Sequence, residues 1–481
     1  MPAGRRRAHP ILAIARPAPH PNAREDVFMT DRRGFLALLG GLMISACTGE
    51  RYRETPVAPI AGAAGRRVIV IGAGMAGAKA AHDLRQAGFS VTVLEARERI
   101  GGRIWTDRSL GVPLDLGAAW IHGAHGNPLT ALARDNDVPL FEWDYNNLAY
   151  FEGETGRRSD FNRLALGLEG ALYRTAAQGG ADMSVGEALE IVRAGRFAEA
   201  NAADFALARQ LLIEMPVAAQ VDRLSAAGLM AGESYGGPDY LFPQGYEALV
   251  AALMEGVELR AGETVRRIEY GPSGAAAITD EARHEADFLV LTASLGVLQS
   301  GAIAFDPPLP AAQAAAVEGL GMGVLNKLYL RFPEVFWPER RNMILRASDA
   351  EARWPAWFNL AGITGEPLLV ALNGGSVGRA LEPLSDAEIL DEATQALRGL
   401  FGADIPDPTG HLITRWAEDP LALGSYSYIP AGAALSARSA FDEMLGAMAV
   451  AGEAWSADHP STVHGAYLSG RAAAERIRAR V

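Results

Sequence analysis

Apolar positions along this chain fall into short continuous runs, alternating runs and helical stripes, and their order predicts an α/β fold. Val68, Ile69, Val70 and Ile71 form a continuous β-branched run that suits a parallel strand buried on both faces. Ala76 to Gly88 reads as the helix after it, and Ser90 to Leu94 as the next strand. Phe161 to Ala177, Val185 to Ala194, Ala202 to Glu214 and Tyr246 to Met254 read as helices. Short strands follow at Val257 to Leu259, Thr264 to Tyr270 and Phe288 to Thr292, the last a buried apolar run. Val324 to Phe332 alternates like a strand, Leu368 to Asn373 is another, and Asp386 to Phe401 is an amphipathic helix. From Ala447 the texture of the first strand returns in MAVAGEAW. This order predicts a discontinuous Rossmann-like dinucleotide-binding domain from 66–126, 240–319 and 410–481. Inserted into it is an α+β substrate domain from 127–239, mainly helical, and 320–409.

The chemistry begins where the first strand ends. Gly72, Gly74 and Gly77 have GxGxxG spacing: one glycine for the tight turn, one to let the backbone approach a pyrophosphate, one for close packing of helix on strand. The helix opening at Ala76 then turns its N-terminal amides to the phosphates. Glu95 ends the second strand about 20 residues on, where an acid binds a ribose hydroxyl pair. Arg97, Gly101, Gly102 and Arg103 extend that acid into ExRxxxxGR, with an arginine able to reach the pyrophosphate and two glycines that let the chain pass close to it.

Composition narrows the class. The 481 residues leave room for two or three domains, and 49% hydrophobic with 21% charged residues is ordinary for a globular enzyme. No apolar run reaches the roughly 18 residues of a membrane span. A single cysteine excludes internal disulfides and Cys-based metal sites.

Residues 1–46 read as a targeting segment. Arg32, Arg33, Phe35 and Leu36 form an RRxFL pattern before a short apolar stretch from Ala37 to Ala46, which looks like a twin-arginine export signal. Cys47 closes Ile44-Ser45-Ala46-Cys47, which resembles a bacterial lipobox, so a lipid anchor is expected there; a plain thiol beside an ordinary cleavage site is the alternative. Met29 is expected to be the true start, and 47–65, rich in Pro, Ala and Gly, a tether. Residues 1–46 carry seven arginines against three acids, so their removal takes the net charge from −13 to −17. That acidity argues against nucleic acid and suits cationic small molecules.

Five blocks in order resemble the flavin-containing amine oxidases: GAGMAG with EARERIGGR, DLGAAWIHGAHGNP, GMGVLNKLYLRF, RWAEDPLALGSYSY, and AGEAWSADHPSTVHGAYLSGR. The second and fifth look closest to the polyamine and spermine oxidase branch, which shares motifs with the lysine-specific histone demethylases. The resemblance implies FAD as the dinucleotide, an amine as substrate and molecular oxygen as acceptor. It makes Lys327 the residue that holds a water at flavin N5, and Tyr426 and Tyr467 the two rings flanking the amine. It gives His122 a contact to a substrate nitrogen, with Trp416 and Tyr428 packing against the flavin and His464 ordering its loop. Ala119 and Trp120 join the flavin contacts, Glu453, Thr462 and Val463 serve the ribityl chain and pyrimidine edge, and Val265 holds adenine. Ser425 stands where the monoamine oxidases carry a flavin-linking cysteine, so the FAD is expected to be noncovalent.

Specificity is where the resemblance fades. Glu214, Asp222, Glu233 and Asp239 lie where acids would line a polyamine tunnel, with no sign of which face inward. Ser294 replaces the proline usual in its element. An L-amino-acid oxidase would need an arginine for the carboxylate, and AAWIHG offers none. A flavoprotein dehydrogenase, or a polyamine-binding protein with an inert flavin, stays open. A histone demethylase is disfavoured by the export signal and the lack of a coiled-coil insertion.

Overall fold

In a computed structural model the structure describes residues 52, 54–152, 161–180, 182–348 and 353–481. The expected export signal and Cys47 lie outside them. Five parallel strands form the central sheet in the order Met448–Val450, Phe288–Leu291, Arg67–Ile71, Ser90–Leu94, Glu258–Arg260. Parallel strands must be covered on both faces, and Val68, Val70, Leu289 and Val290 are at most 1% exposed. Helix Met75–Gln86 covers the sheet with Ala78, Ala80, Ala81 and Leu84 and packs on helix Val463–Arg478. Small residues permit that approach: a Cβ on Gly470 would fall 2.2 Å from the Ala76 carbonyl oxygen.

The second large sheet has six strands, ordered Gly410–Ile413, Leu325–Arg331, Leu368–Gly374, Ala356–Asn359, Met343–Ala347, Leu148–Glu152. Sequence groups Gly410–Ile413 with the last dinucleotide-domain segment, but it pairs with Leu325–Arg331 and belongs to this sheet. Strand Leu325–Arg331 is buried on both faces, and its period of two divides the labour. Leu328 and Leu330 share a core with Ile389, Ala393 and Leu397 of helix Asp386–Phe401. Lys327 and Tyr329 point to the opposite face, where both donate to the Asp115 carbonyl.

Helices Phe161–Gln178, Val185–Ala194 and Ala202–Arg209 follow the predicted spans closely. The last continues into a widened i→i+5 turn at Gln210–Glu214, a geometry that gathers at functional sites.

The stretch expected to be a tether is docked from residue 54 onward. Ala63 is fully buried, Ile60 N–H donates to the Ala87 carbonyl at 3.0 Å, and Glu54 pairs with Lys79. Lys79 is 1% exposed and also bonds Asp83 at 2.8 Å. A buried ammonium needs such partners, and supplying one fixes the arm to the helix.

Candidate active site

The glycine turn is built as its spacing requires. Gly72 has φ +98°, and a Cβ on Gly77 would fall 1.9 Å from the Gly72 carbonyl oxygen, so helix and strand approach only without a side chain there. Helix Met75–Gln86 starts at Gly74 with no side-chain cap and no acid in its first turn, leaving its amides and dipole open to an anion. Glu95 ends the second strand, its carboxylate accepting from Ala73 N–H at 2.7 Å and Arg97 N–H at 2.9 Å. Gly101 N–H donates to the Ala73 carbonyl at 2.9 Å, which brings the ExRxxxxGR loop and Gly102 alongside the turn. Glu263 N–H bonds the Glu95 carbonyl at 2.9 Å and sets Val265 at the same end.

Arg103 Nη1 donates to Glu453 Oε1 at 2.8 Å and to the Ser425 carbonyl at 2.9 Å. Burial pushes the Glu453 carboxyl up, but Arg103 and Ser427 outweigh it and hold it below its ordinary value. Thr462 caps helix Val463–Arg478, its hydroxyl accepting from Gly465 N–H at 2.9 Å, so Val463 opens that helix. Ser425 accepts from Leu325 N–H at 2.8 Å and donates to the Leu325 carbonyl at 3.1 Å, tying its loop to the strand that carries Lys327.

Lys327 is 4% exposed, with Nζ 2.6 Å from the Asp115 carbonyl oxygen and 5.4 Å from the centre of the Trp120 ring. Burial pulls its pKa down to about 8, against the opposing Asp115 charge. Trp120 follows buried Ala119, its Nε1 is buried without a protein acceptor, and its ring stacks on His122 at 6.4 Å and 13°. His122 Nδ1 lies 2.7 Å from Asp239 Oδ2. Tyr426 comes to the site from the loop after Ser425, its hydroxyl 3.0 and 2.9 Å from the carbonyl oxygens of Met215 and Pro216, just past the widened turn.

Residues 75–478 match the family described as flavin containing amine oxidoreductase. Polyamine oxidase 4 of Oryza sativa subsp. japonica is 33% identical over 463 residues, 92% of each chain. The chain belongs to the flavin-containing amine oxidoreductases. Polyamine oxidase 2 of Arabidopsis thaliana is 33% identical over 86% of this chain and 88% of its own. Lysine-specific histone demethylase 1 homolog 2 of the same plant is 34% identical over 85% of this chain, which spans 58% of that protein. A putrescine oxidase solved with putrescine bound superposes with a TM-score of 0.71 at 22% identity, covering 86% of this chain and 99% of its own, a likeness of fold.

This flavin amine oxidase therefore uses FAD, held noncovalently, to oxidise amines with oxygen as acceptor. The residues present fit that cofactor: an uncapped helix start, the glycines Gly74 and Gly102 side by side, and a buried indole N–H with no protein partner. Among its expected ligands, Arg97 is paired with Asp419 at 2.7 Å. Trp416 donates to the Leu116 carbonyl at 3.3 Å and meets Trp105 edge-on.

Tyr467 is not where the aromatic pair was expected. It is fully buried in the contact between the two helices, its hydroxyl donating to Glu54 at 2.6 Å and its ring 4.8 Å from Lys79 Nζ. It shares no partner with Tyr426, because the helix turns it away by its own period. Two further residues lie inside quoted motifs but are not singled out by the sequence reading. Asp115, in the DLG that precedes Trp120, holds Lys327 through its carbonyl. His459 stacks on Tyr235 at 4.7 Å and meets His464 at 5.0 Å.

Proposed function

We propose that this amine oxidase prefers polyamines and takes the amine at Trp120, His122 and Tyr426. The observation that carries the reading is the indole of Trp120, shared by the buried Lys327 ammonium and by His122, whose side chain keeps 44% of its accessibility. When bound, FAD would supply the two-electron acceptor for hydride from the amine α-carbon and the route by which those electrons reach oxygen to give hydrogen peroxide. Lys327 has one donor committed to Asp115 and two left to hold a water, and its charge favours negative charge nearby. Tyr426, anchored through its hydroxyl, offers a ring face to the amine. His122 offers a ring nitrogen to a second amine of a longer substrate. The names of the relatives and the acidity of the chain support the substrate class.

Mixed anaerobically with purified holoenzyme, spermine and spermidine are expected to bleach the flavin faster than putrescine, benzylamine or L-leucine. Bleaching by none of them sinks the oxidase reading. Bleaching without peroxide when air is readmitted would make the protein a dehydrogenase.

The same reading includes export in folded form by the twin-arginine machinery to the periplasm or cell surface, with a lipid anchor at Cys47, on the strength of RRGFL and ISAC. Export by this route suits a protein that already holds its cofactor. Replacing Arg32 and Arg33 together by lysine is expected to retain the enzyme in the cytoplasm, and Cys47→Ser to abolish labelling by palmitate. Unchanged fractionation and labelling would refute both.

A further inference from the structure

Of the four acids in the substrate region, Asp239 is 5% exposed, and both its oxygens are spent inside the protein. Oδ1 accepts from Gly123 N–H at 2.7 Å; Oδ2 accepts from Tyr145 OH at 3.1 Å and lies 2.7 Å from His122 Nδ1. Strand pairing places it there: Trp120 stands opposite Leu241 and Ile121 opposite Tyr240, so the antiparallel register runs on to bring His122 to Asp239. A buried carboxylate with three donors on its roughly four acceptor sites is held rigid and negative, and neither oxygen lacks a protein partner.

We propose that Asp239 is a positioning residue: it accepts the Nδ1 proton of His122, fixes that tautomer, and so presents Nε2 as an acceptor toward the amine. This rests on the reading of His122 as an amine contact. A neutral imidazole held this way accepts a hydrogen bond from a substrate N–H, whereas the opposite tautomer, or the imidazolium, offers that substrate only a donor. Desolvation pulls His122 toward neutrality, but Asp239 outweighs it and the net shift is upward. The other titratable groups around it are Tyr145 on the same carboxylate, His464, which burial above all, then His459 and His122, hold toward the neutral form, and Lys327, which lies on Trp120. Asp239 therefore sets where His122 stops binding as pH falls.

The sign follows. His122 must be neutral to accept, so kcat/KM falls on the acid side of its pKa, and removing the carboxylate moves that limb to lower pH. In Asp239→Asn holoenzyme, kcat/KM for spermidine at the plateau is expected to fall about ten- to a hundredfold, the worth of one hydrogen bond to a charged or buried polar partner, and the acid limb to move down. In a His122→Ala background the same substitution is expected to change nothing further, because Asp239 acts through His122. The readout independent of turnover is the imidazole itself: in ¹⁵N-histidine-labelled wild-type holoenzyme, the signal missing from His122→Ala should report the Nδ1–H tautomer. An Nε2–H tautomer, an unmoved acid limb, or a further loss in the His122→Ala background would each overturn the proposal. Failure of every amine to reduce the wild-type flavin would instead sink the function reading, and the tautomer would still be decided. If Asp239→Asn does not fold with FAD, the wild-type tautomer alone decides: Nδ1–H upholds the positioning role and Nε2–H overturns it.

Discussion

Lys327→Met enzyme, reduced anaerobically by an amine and then mixed with oxygen, is expected to reoxidise slower by a factor of about 10² to 10³, the usual loss for one preorganised electrostatic group. Reduction by the amine should suffer far less. Methionine keeps an unbranched chain of similar length in the buried slot against Trp120, so packing is preserved while the charge is lost. Nor does the substitution strand a buried acceptor, because the Asp115 carbonyl keeps Tyr329 OH at 2.7 Å. The pH dependence separates charge from shape. With Lys327 pulled down to about 8 by burial, the charged form dominates below that pH and is lost above it, so wild-type reoxidation should slow as pH rises through that region. The methionine variant has no such group and should be flat across it. Stopped-flow absorbance at the flavin band measures both, and a variant that reoxidises at the wild-type rate removes the role given to this lysine.

What can be read from the sequence divides by distance along the chain. The dinucleotide cradle closes over 22 residues, from Ala73 to Glu95, so turn, helix and acid appear together as one motif. Val68 to Ile71 are buried and show as an unbroken apolar run. The Lys327 contact spans 212 residues and depends on which face of Leu325–Arg331 meets Asp115. Alternation shows that two faces exist and leaves their destinations open. Choosing Asp239 among four acids needs the register of Trp120–Ile121 on Asp239–Leu241, which brings His122 to an acid 117 residues away. Tyr467 fails for a different reason: HGAYLSG locates the helix that opens at Val463, but a residue two positions past Gly465 is carried about 200° around the axis, toward Lys79. The docking of residues 54 to 65 leaves no periodic signal, since it rests on Glu54 with Lys79 and Tyr467, a few apolar side chains against the core and a few backbone bonds.

A second large effect is expected from the glycines, and two of them should fail differently. In Gly77→Ala the new Cβ would fall 1.9 Å from the Gly72 carbonyl oxygen and 3.1 Å from Thr292 Oγ1. Both neighbours are held, Thr292 by a 2.7 Å bond to the Ile71 carbonyl, so the helix must lift off the sheet. Overpacking of this kind costs about 1–3 kcal/mol, and the shift also withdraws the first-turn amides from the phosphates. The variant should purify without flavin absorbance and melt below wild-type apoprotein. Gly74→Ala meets only the Gly101 carbonyl oxygen, at 3.7 Å, and Gly74 has an ordinary φ of −76°, so the protein itself tolerates the methyl. Its apoprotein should melt as wild type does. FAD titration should nevertheless show weaker binding, because this is the glycine whose bare backbone lets a pyrophosphate approach. Wild-type FAD affinity in Gly74→Ala would mean that the phosphates pass elsewhere; equal melting of Gly77→Ala and wild-type apoprotein would mean that the helix has slack the structure does not show.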